Sequence, residues 1–204
     1  MMFSDLGVDV SRETIERIAI YETLVKKWNP KINLIARSTL PDLFDRHIRD
    51  SAQLMTHIPR DAKRLGDFGS GGGFPGMVLG IFSAELRPDL KITLVESDQR
   101  KAAFLRSVAR ETGISVDVTV DRIENLDPLN LDVVTARALA SLKDLCTFTA
   151  RHLGPKGDAF FLKGKSWGKE VEEAEVEWKF ELAKFKSETN PEAVILHLRE
   201  IKHV

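Results

Sequence analysis

The chain has 204 residues, 43% of them hydrophobic, which is enough apolar surface to close one ordinary α/β core without disulfides. With 30 Lys and Arg against 31 Asp and Glu the formal net charge is −1, so bulk charge does not drive binding to a polyanion and any such binding must come from local patches. The single cysteine, Cys146, excludes an internal disulfide, and no apolar run approaches the roughly 20 residues that cross a bilayer. The opening Met1-Met2-Phe3-Ser4-Asp5 has neither a basic nor an apolar leader character, so a reducing cytoplasm is the expected compartment.

Ser11 is placed to cap a helix running to about Trp28, with Ile18, Tyr21, Val25 and Trp28 recurring three and four apart, and Asn29-Pro30 is expected to end it. A second helix is expected from Pro41 to about His57, with Leu43, Phe44, His47 and Leu54 near one side, closed by Pro59. Between Lys26 and Arg64 stand nine basic residues (Lys26, Lys27, Lys31, Arg37, Arg46, Arg49, Arg60, Lys63, Arg64) and four acids (Asp42, Asp45, Asp50, Asp61), a local excess of five. Such a run is either the solvated face of surface helices or an electrostatic footprint for a polyanion.

From Lys63 onward short apolar runs alternate with helical stretches, the pattern of βαβ units around a mostly parallel sheet. Strands are expected near 64–68, 91–96, 115–120, 131–136 and 158–162, and helices near 75–85, 98–111 and 141–153. An acidic amphipathic helix follows Ser166 to about Lys179. Two last strands, near 180–187 and 193–200, are joined at Thr189-Asn190-Pro191, a turn too short for anything but an antiparallel pair. A parallel sheet ending in an antiparallel hairpin is the pattern of class I methyltransferases. The chain therefore divides into a helical extension over 1–60 and an α/β domain over 61–204.

Asp67-Phe68-Gly69-Ser70-Gly71-Gly72-Gly73-Phe74-Pro75-Gly76 lies between a strand and a helix. Its glycines permit positive φ and close backbone approach, and the following helix offers free N–H groups, which suits either a dinucleotide or S-adenosyl-L-methionine. Two acids discriminate. Asp67 would repel a pyrophosphate and attract an ammonium. Glu96, ending the second strand twenty residues after Gly76, is placed to accept hydrogen bonds from ribose hydroxyls. Together they favour the methyl donor over NAD.

The chain resembles the RsmG (GidB) methyltransferases, the bacterial family that methylates N7 of a guanine in 16S ribosomal RNA. The resemblance runs from Trp28 to about Gly164 and rests on Trp28-Asn29-Pro30-Lys31-Ile32-Asn33-Leu34, Arg46-His47-Ile48-Arg49-Asp50-Ser51 and Gly69 to Gly76. Leu94-Val95-Glu96-Ser97 with Arg100-Lys101 and Phe104-Leu105, Ala136-Arg137-Ala138 and Lys163-Gly164 fit as well. The two N-terminal motifs are the specific part. The family often has threonine, leucine and alanine where this chain has Ile35, Ala52 and Gly80, departures that remove no group with evident chemistry.

The resemblance implies a class I, Rossmann-like α/β fold with a seven-stranded, mostly parallel sheet, a C-terminal antiparallel hairpin and the N-terminal helical extension. It implies that Gly69 and Phe74 contact the cofactor, that Ile123 and Glu124 hold the adenine, and that Arg137 reaches the cofactor's side of the cleft; with Asp67, Ser70, Gly71, Gly73 and Glu96 from the loop and strand read above, these are the expected cofactor residues. Asn33, Arg46, His47, Asp50, Ser51, Lys163 and Lys165 are the expected RNA contacts. The implied partner is 16S ribosomal RNA or the assembled small ribosomal subunit, met by a monomer with neither membrane nor metal.

Chemistry narrows the reaction further. Methylation at C5 of a pyrimidine needs a cysteine nucleophile, and Cys146 falls inside an expected helix, where core packing is the plainer reading. Exocyclic amine methylation commonly uses an Asp/Asn-Pro-Pro-aromatic motif after the fourth strand, where this chain has Thr135-Ala136-Arg137-Ala138. N7 of guanine carries an in-plane lone pair and no proton, so attack on a sulfonium methyl needs alignment and no general base. The alternatives are a methyltransferase of the same fold acting on a protein or small molecule, and a non-enzymatic RNA-binding or cofactor-sensing module. Five scattered histidines and one cysteine give no metal-ligand spacing.

Overall fold

The computed structural model describes residues 3–204; Met1 and Met2, part of the opening segment read above, lie outside the described residues. Helix α1 (Arg12–Ile32) begins at Ser11, whose hydroxyl accepts from the Thr14 amide, and buries Ile18, Tyr21 and Val25. It runs past Asn29-Pro30, contrary to the sequence expectation. Pro30 falls in the last turn, where little helix remains to disrupt. The helix ends at Asn33 in the left-handed region (φ 47°), whose amide bonds the Asn29 carbonyl, while the Asn29 side chain accepts from the Ile35 amide at 2.9 Å.

The second helical stretch starts at Phe44 rather than Pro41 and changes pitch along its length. It is π-helical over Phe44–Arg49, α-helical over Asp50–Ala52 (α2) and 3-10 over Gln53–Thr56. There follow β1 (Arg64–Phe68), α3 (Gly76–Leu86), β2 (Lys91–Val95), α4 (Gln99–Thr112), β3 (Asp117–Thr119), β4 (Leu131–Arg137), α5 (Leu142–His152), β5 (Leu153–Lys163), α6 (Trp167–Glu175), β6 (Trp178–Lys186) and β7 (Val194–His203). The seven strands form one sheet in the order β3-β2-β1-β4-β5-β7-β6. Strands β1 to β5 pair in parallel, whereas β7 pairs antiparallel with both β5 and β6. The expected hairpin is thus present, with its second strand seated inside it against β5.

Helices α3 and α4 cover one face of the sheet together with the N-terminal elements. Phe3, Ile18, Tyr21, Val25 and Ile48 share a single apolar cluster with Met77, Phe82 and Phe104. Helices α5 and α6 cover the other face, where Leu142, Leu145, Val171 and Ala174 pack on Phe68, Val134 and Phe161. Cys146 is buried in that second layer, and burial pushes its thiol up to about 12, as its core reading requires. Among the described residues no helix is long and apolar enough to cross a membrane.

Candidate active site

The loop between β1 and α3 demands glycine at three positions, because Gly69, Gly71 and Gly73 have φ of 62°, 54° and 94°. Backbone and side chains fix it from all sides. The Ser70 amide donates to the Val95 carbonyl at 3.1 Å and the Gly73 amide to the Ser70 carbonyl at 2.6 Å. The Ser70 hydroxyl donates to the Asp67 carbonyl at 2.9 Å. The Gly71 amide donates to Oε2 of Glu96 at 2.8 Å, and Oε1 of Glu96 accepts from the Asp98 amide at the head of α4, also at 2.8 Å. From α1, the Tyr21 hydroxyl donates to the Gly72 carbonyl at 2.5 Å, so the N-terminal helix holds the loop from beneath.

Asp67, expected near the cofactor, lies below this loop and is fully buried. Its Oδ1 accepts from the Thr135 hydroxyl at 2.8 Å. Its Oδ2 is pressed against Gly76, with no well-aligned hydrogen bond among the described residues. Burial raises its pKa to about 6, against the pull of the Ser70 and Thr135 hydroxyls and the Gly76 amide. Ile123 is buried in the layer beside Phe68 and Val95 and is held by His152 Nε2, 3.0 Å from its carbonyl. Glu124 turns its carboxylate to solvent and Arg122, at 2.7 Å, instead of presenting it to the loop.

Beyond the C-terminal ends of β4 and β5 opens a cleft of about 1280 Å³. Its walls are the segment Asn33 to Thr39, the Arg46, His47, Asp50 and Gln53 face of the second helical stretch, the chain after Arg137, and the β6–β7 turn at Ser187 to Ala193. Arg137 joins this cleft to the glycine loop. Its guanidinium lies 5.1 Å from the centroid of the Phe74 ring, Nη1 donates to the Arg46 carbonyl at 3.1 Å and faces Oδ2 of Asp50 at 3.3 Å, and Nη2 meets Nδ1 of His47 at 2.5 Å. Because guanidinium only donates, Nδ1 of His47 is the acceptor, and Nε2–H is left to donate to the Thr39 hydroxyl at 2.8 Å. Burial, Arg137 and Arg46 lower the His47 pKa to about 3, so this imidazole stays neutral.

The expected RNA contacts divide. Asn33, Arg46, His47, Asp50 and Lys163 all border the cleft. Arg46 is exposed, and its guanidinium has no ion-pair partner among the described residues. Lys163 is not a free cation: its side chain is 9% exposed, and Nζ bonds Oε2 of Glu170 at 2.7 Å and the Ala140 carbonyl at 2.8 Å. Lys165 is exposed and pairs with Glu192 at 3.0 Å. Ser51 is buried and donates to the His47 carbonyl at 2.6 Å, which takes its hydroxyl away from any RNA. Sequence reasoning missed the partners that do the positioning: Tyr21, read only as a core-face residue, Glu170, and the hydroxyls of Ser187 and Thr189. Glu170, one helix on from Lys163, carried a faint signal; the hydroxyls, more than 130 residues from Asp50, carried none.

The family model described as rRNA small subunit methyltransferase G matches residues 14–197, nearly the whole chain. The chain belongs to that family. The methyltransferase G match takes in Tyr21, the glycine loop, Arg137 and the β6–β7 turn alike, so both sides of the site lie within it. The "Ribosomal RNA small subunit methyltransferase G" of Ruegeria sp. (strain TM1040) is 50% identical over 200 residues, covering 98% of this chain and 97% of its own. The protein of the same name from Rhodospirillum centenum is 47% identical over 192 residues, covering 94% and 87%. Among solved structures, a SAM dependent methyltransferase from Aquifex aeolicus superimposes with TM-score 0.60 at 12% identity, over 78% of this chain and 92% of that one. M. jannaschii TYW2 in complex with AdoMet gives 0.57 at 12% identity, over 78% and 76%. At such identity these likenesses speak for the fold, the class I methyltransferase arrangement expected from the sequence.

Proposed function

We propose that this protein transfers the methyl group of S-adenosyl-L-methionine to N7 of a guanine in 16S ribosomal RNA, working in the cytoplasm as a monomer on small-subunit RNA, naked or assembled. The observation that carries the reading is the junction at Arg137, where a glycine cradle meets a cleft of about 1280 Å³ lined by Asn33, Arg46, His47 and Asp50, in a chain of the methyltransferase G family.

The cradle fits the cofactor on its own geometry. Gly69 and Gly73 let the loop turn tightly against Leu139, Met77 and Tyr21, Gly71 has no neighbour nearer than 3.7 Å to where a Cβ would stand and leaves its backbone open to close approach, and Oδ2 of Asp67 is a buried negative pole directly beneath. Gly69, Ser70, Gly71, Gly73 and Phe74 would hold the methionine part, with Asp67 acting through the loop. Glu96 retains lone pairs for ribose hydroxyls, and Ile123 with the backbone at Glu124 would border the adenine. Bound there, S-adenosyl-L-methionine supplies an electrophilic sulfonium methyl. Arg137, clamped by Asp50, His47 and Phe74, orients what enters from the cleft. Arg46, Asn33, Lys165 and the neutral His47 face the RNA, while Ser51 and Lys163 shape the wall behind them. Residues 1–60 act as the extension that builds one lip of the cleft, on the domain 61–204.

N7 presents a lone pair without a proton, so the residues have only to align it with the methyl group and exclude water. The test is to map methylated bases in small-subunit RNA from cells with and without the gene, then to restore the mark with purified protein and cofactor. Loss and recovery of a single N7-methylguanine supports the reading; an unchanged map, with methyl transfer to a protein or small molecule instead, would replace it.

A further inference from the structure

Asp50 joins three elements that the sequence keeps far apart. Its Oδ2 faces Nη1 of Arg137, while Oδ1 accepts from Gln53 Nε2 at 2.9 Å, Ser187 Oγ at 3.2 Å and Thr189 Oγ1 at 2.9 Å. The same partners reach further into the β6–β7 turn. Ser187 Oγ accepts from the Thr189 and Asn190 amides at 3.2 Å each, and Gln53 Oε1 accepts from the Glu188 amide at 3.0 Å. The conformation of this turn, which forms one wall of the cleft, is therefore set by a carboxylate on the opposite wall.

The electrostatics point the same way. The Asp50 and Arg137 side chains are 14% and 16% exposed, and Asp50 is the one carboxylate in contact with the guanidinium among the described residues. His47, the other polar side chain on the guanidinium, is neutral. Burial works against the Arg137 charge and Asp50 is the largest influence sustaining it.

We propose that Asp50 is a positioning residue that ties the β6–β7 turn, an RNA-contacting lip of the cleft, to Arg137 beside the glycine loop. The inference rests on the methyltransferase reading above. One oxygen sets where RNA seats and the other sets the cation at the reaction centre, so RNA engagement and methyl-transfer alignment share one carboxylate. In Asp50→Asn the amide oxygen can still accept from the hydroxyls, but its NH₂ meets another donor at Arg137. In Ser187→Ala/Thr189→Ala the turn is released while the Arg137 pair is untouched.

The experiment uses the full chain, small-subunit RNA and S-adenosyl-L-methionine, reading kcat, KM for RNA, cofactor affinity by calorimetry, and Tm. Asp50→Asn should lower kcat at least about tenfold, the scale of a charged hydrogen bond. Ser187→Ala/Thr189→Ala should raise KM for RNA about five- to twentyfold, the scale of one to two hydrogen bonds, with a smaller change in kcat. Cofactor affinity should stay near wild type in both, and the combined variant should lose less than the product of the two effects. Fully multiplicative effects, or an unchanged kcat in folded Asp50→Asn, would overturn the proposal. If Asp50→Asn does not fold, the alanine pair still decides, since an unchanged KM for RNA overturns it. Failure of the wild-type protein to methylate the RNA would instead sink the functional reading on which this rests.

Discussion

Replacing Tyr21 with Phe isolates the contact by which the N-terminal helix holds the glycine loop. Tyr21 is 0% exposed, its ring packs 5.3 Å from Phe74 and 6.5 Å from Phe104 between centroids, and its hydroxyl reaches the buried Gly72 carbonyl. Phe keeps the ring and deletes only the donor. The lost bond is worth about 1 kcal/mol, and the stranded carbonyl can raise the total to about 3 kcal/mol. For a chain of this size that lowers Tm by about 3–10 °C. If about 1 kcal/mol of this biases Gly71 to Gly73 toward the geometry that takes the cofactor, S-adenosyl-L-methionine should bind about fivefold more weakly. Burial raises the Tyr21 pKa well above its ordinary value, so the hydroxyl remains a donor and the deficit should not vary between pH 6 and 9. Thermal unfolding and cofactor calorimetry on both proteins check this. A variant with wild-type Tm and wild-type cofactor affinity would refute the idea that α1 pins the loop.

Gly73→Ala should be more severe, because a Cβ there would lie 2.6 Å from Met77 Cβ and 2.7 Å from the Tyr21 hydroxyl at a φ of 94°; calorimetry should find no cofactor binding, and a normal isotherm would count against the loop geometry. Asp67 carries a pH signature: the folded pKa of about 6 lies above the ordinary 3.8, so the stability its protonation confers is complete below that lower value and is lost as pH rises through 6. The full loss is about 3 kcal/mol, and urea unfolding of Asp67→Asn against wild type should shift by about 2.5 kcal/mol of it in the variant's favour between pH 4 and pH 7.5, a flat difference refuting it. Arg46→Glu should weaken RNA binding and flatten its salt dependence, whereas Lys163→Met should lower Tm with little change in the salt slope; equal salt effects would mean that Lys163 is not committed to Glu170.

Local signals in the sequence reached the backbone of the glycine loop and the place of Glu96 beside it, and stopped short of the packing around them. Glycine spacing after a strand, and an acid at the end of the next strand, are imposed by backbone geometry within one βαβ unit, so the loop and Glu96 were legible. The end of α1 was misread because the proline penalty was applied without its position: at Pro30 only the last turn remains, and the Asn29 side chain carries the chain onward by bonding the Ile35 amide. Lys163 was read as an RNA cation because its neutraliser, Glu170, sits on the following helix and is brought back only when α6 folds over β5. The hairpin was legible from its turn, yet nothing local says that β7 lies inside it against β5, since either strand of an antiparallel pair can take the inner place.

The polar groups around Arg137 explain why a chain with an ordinary supply of acids and histidines suits a reaction that moves no proton. His47 has one nitrogen accepting from Arg137 and the other donating to Thr39, and its pKa of about 3 keeps it neutral. Asp50 spends both oxygens on Arg137, Gln53, Ser187 and Thr189, and Asp67 is sealed below the loop. Each side chain able to take a proton at this junction is already committed to holding another group in place. Such a network is rigid in the sense that matters for displacement at a methyl carbon, where rate comes from holding nucleophile and leaving group in line. Guanine N7 asks for that alignment and nothing more, whereas a substrate whose attacking atom had to shed a proton would find His47 and Asp50 unable to accept it without releasing Arg137.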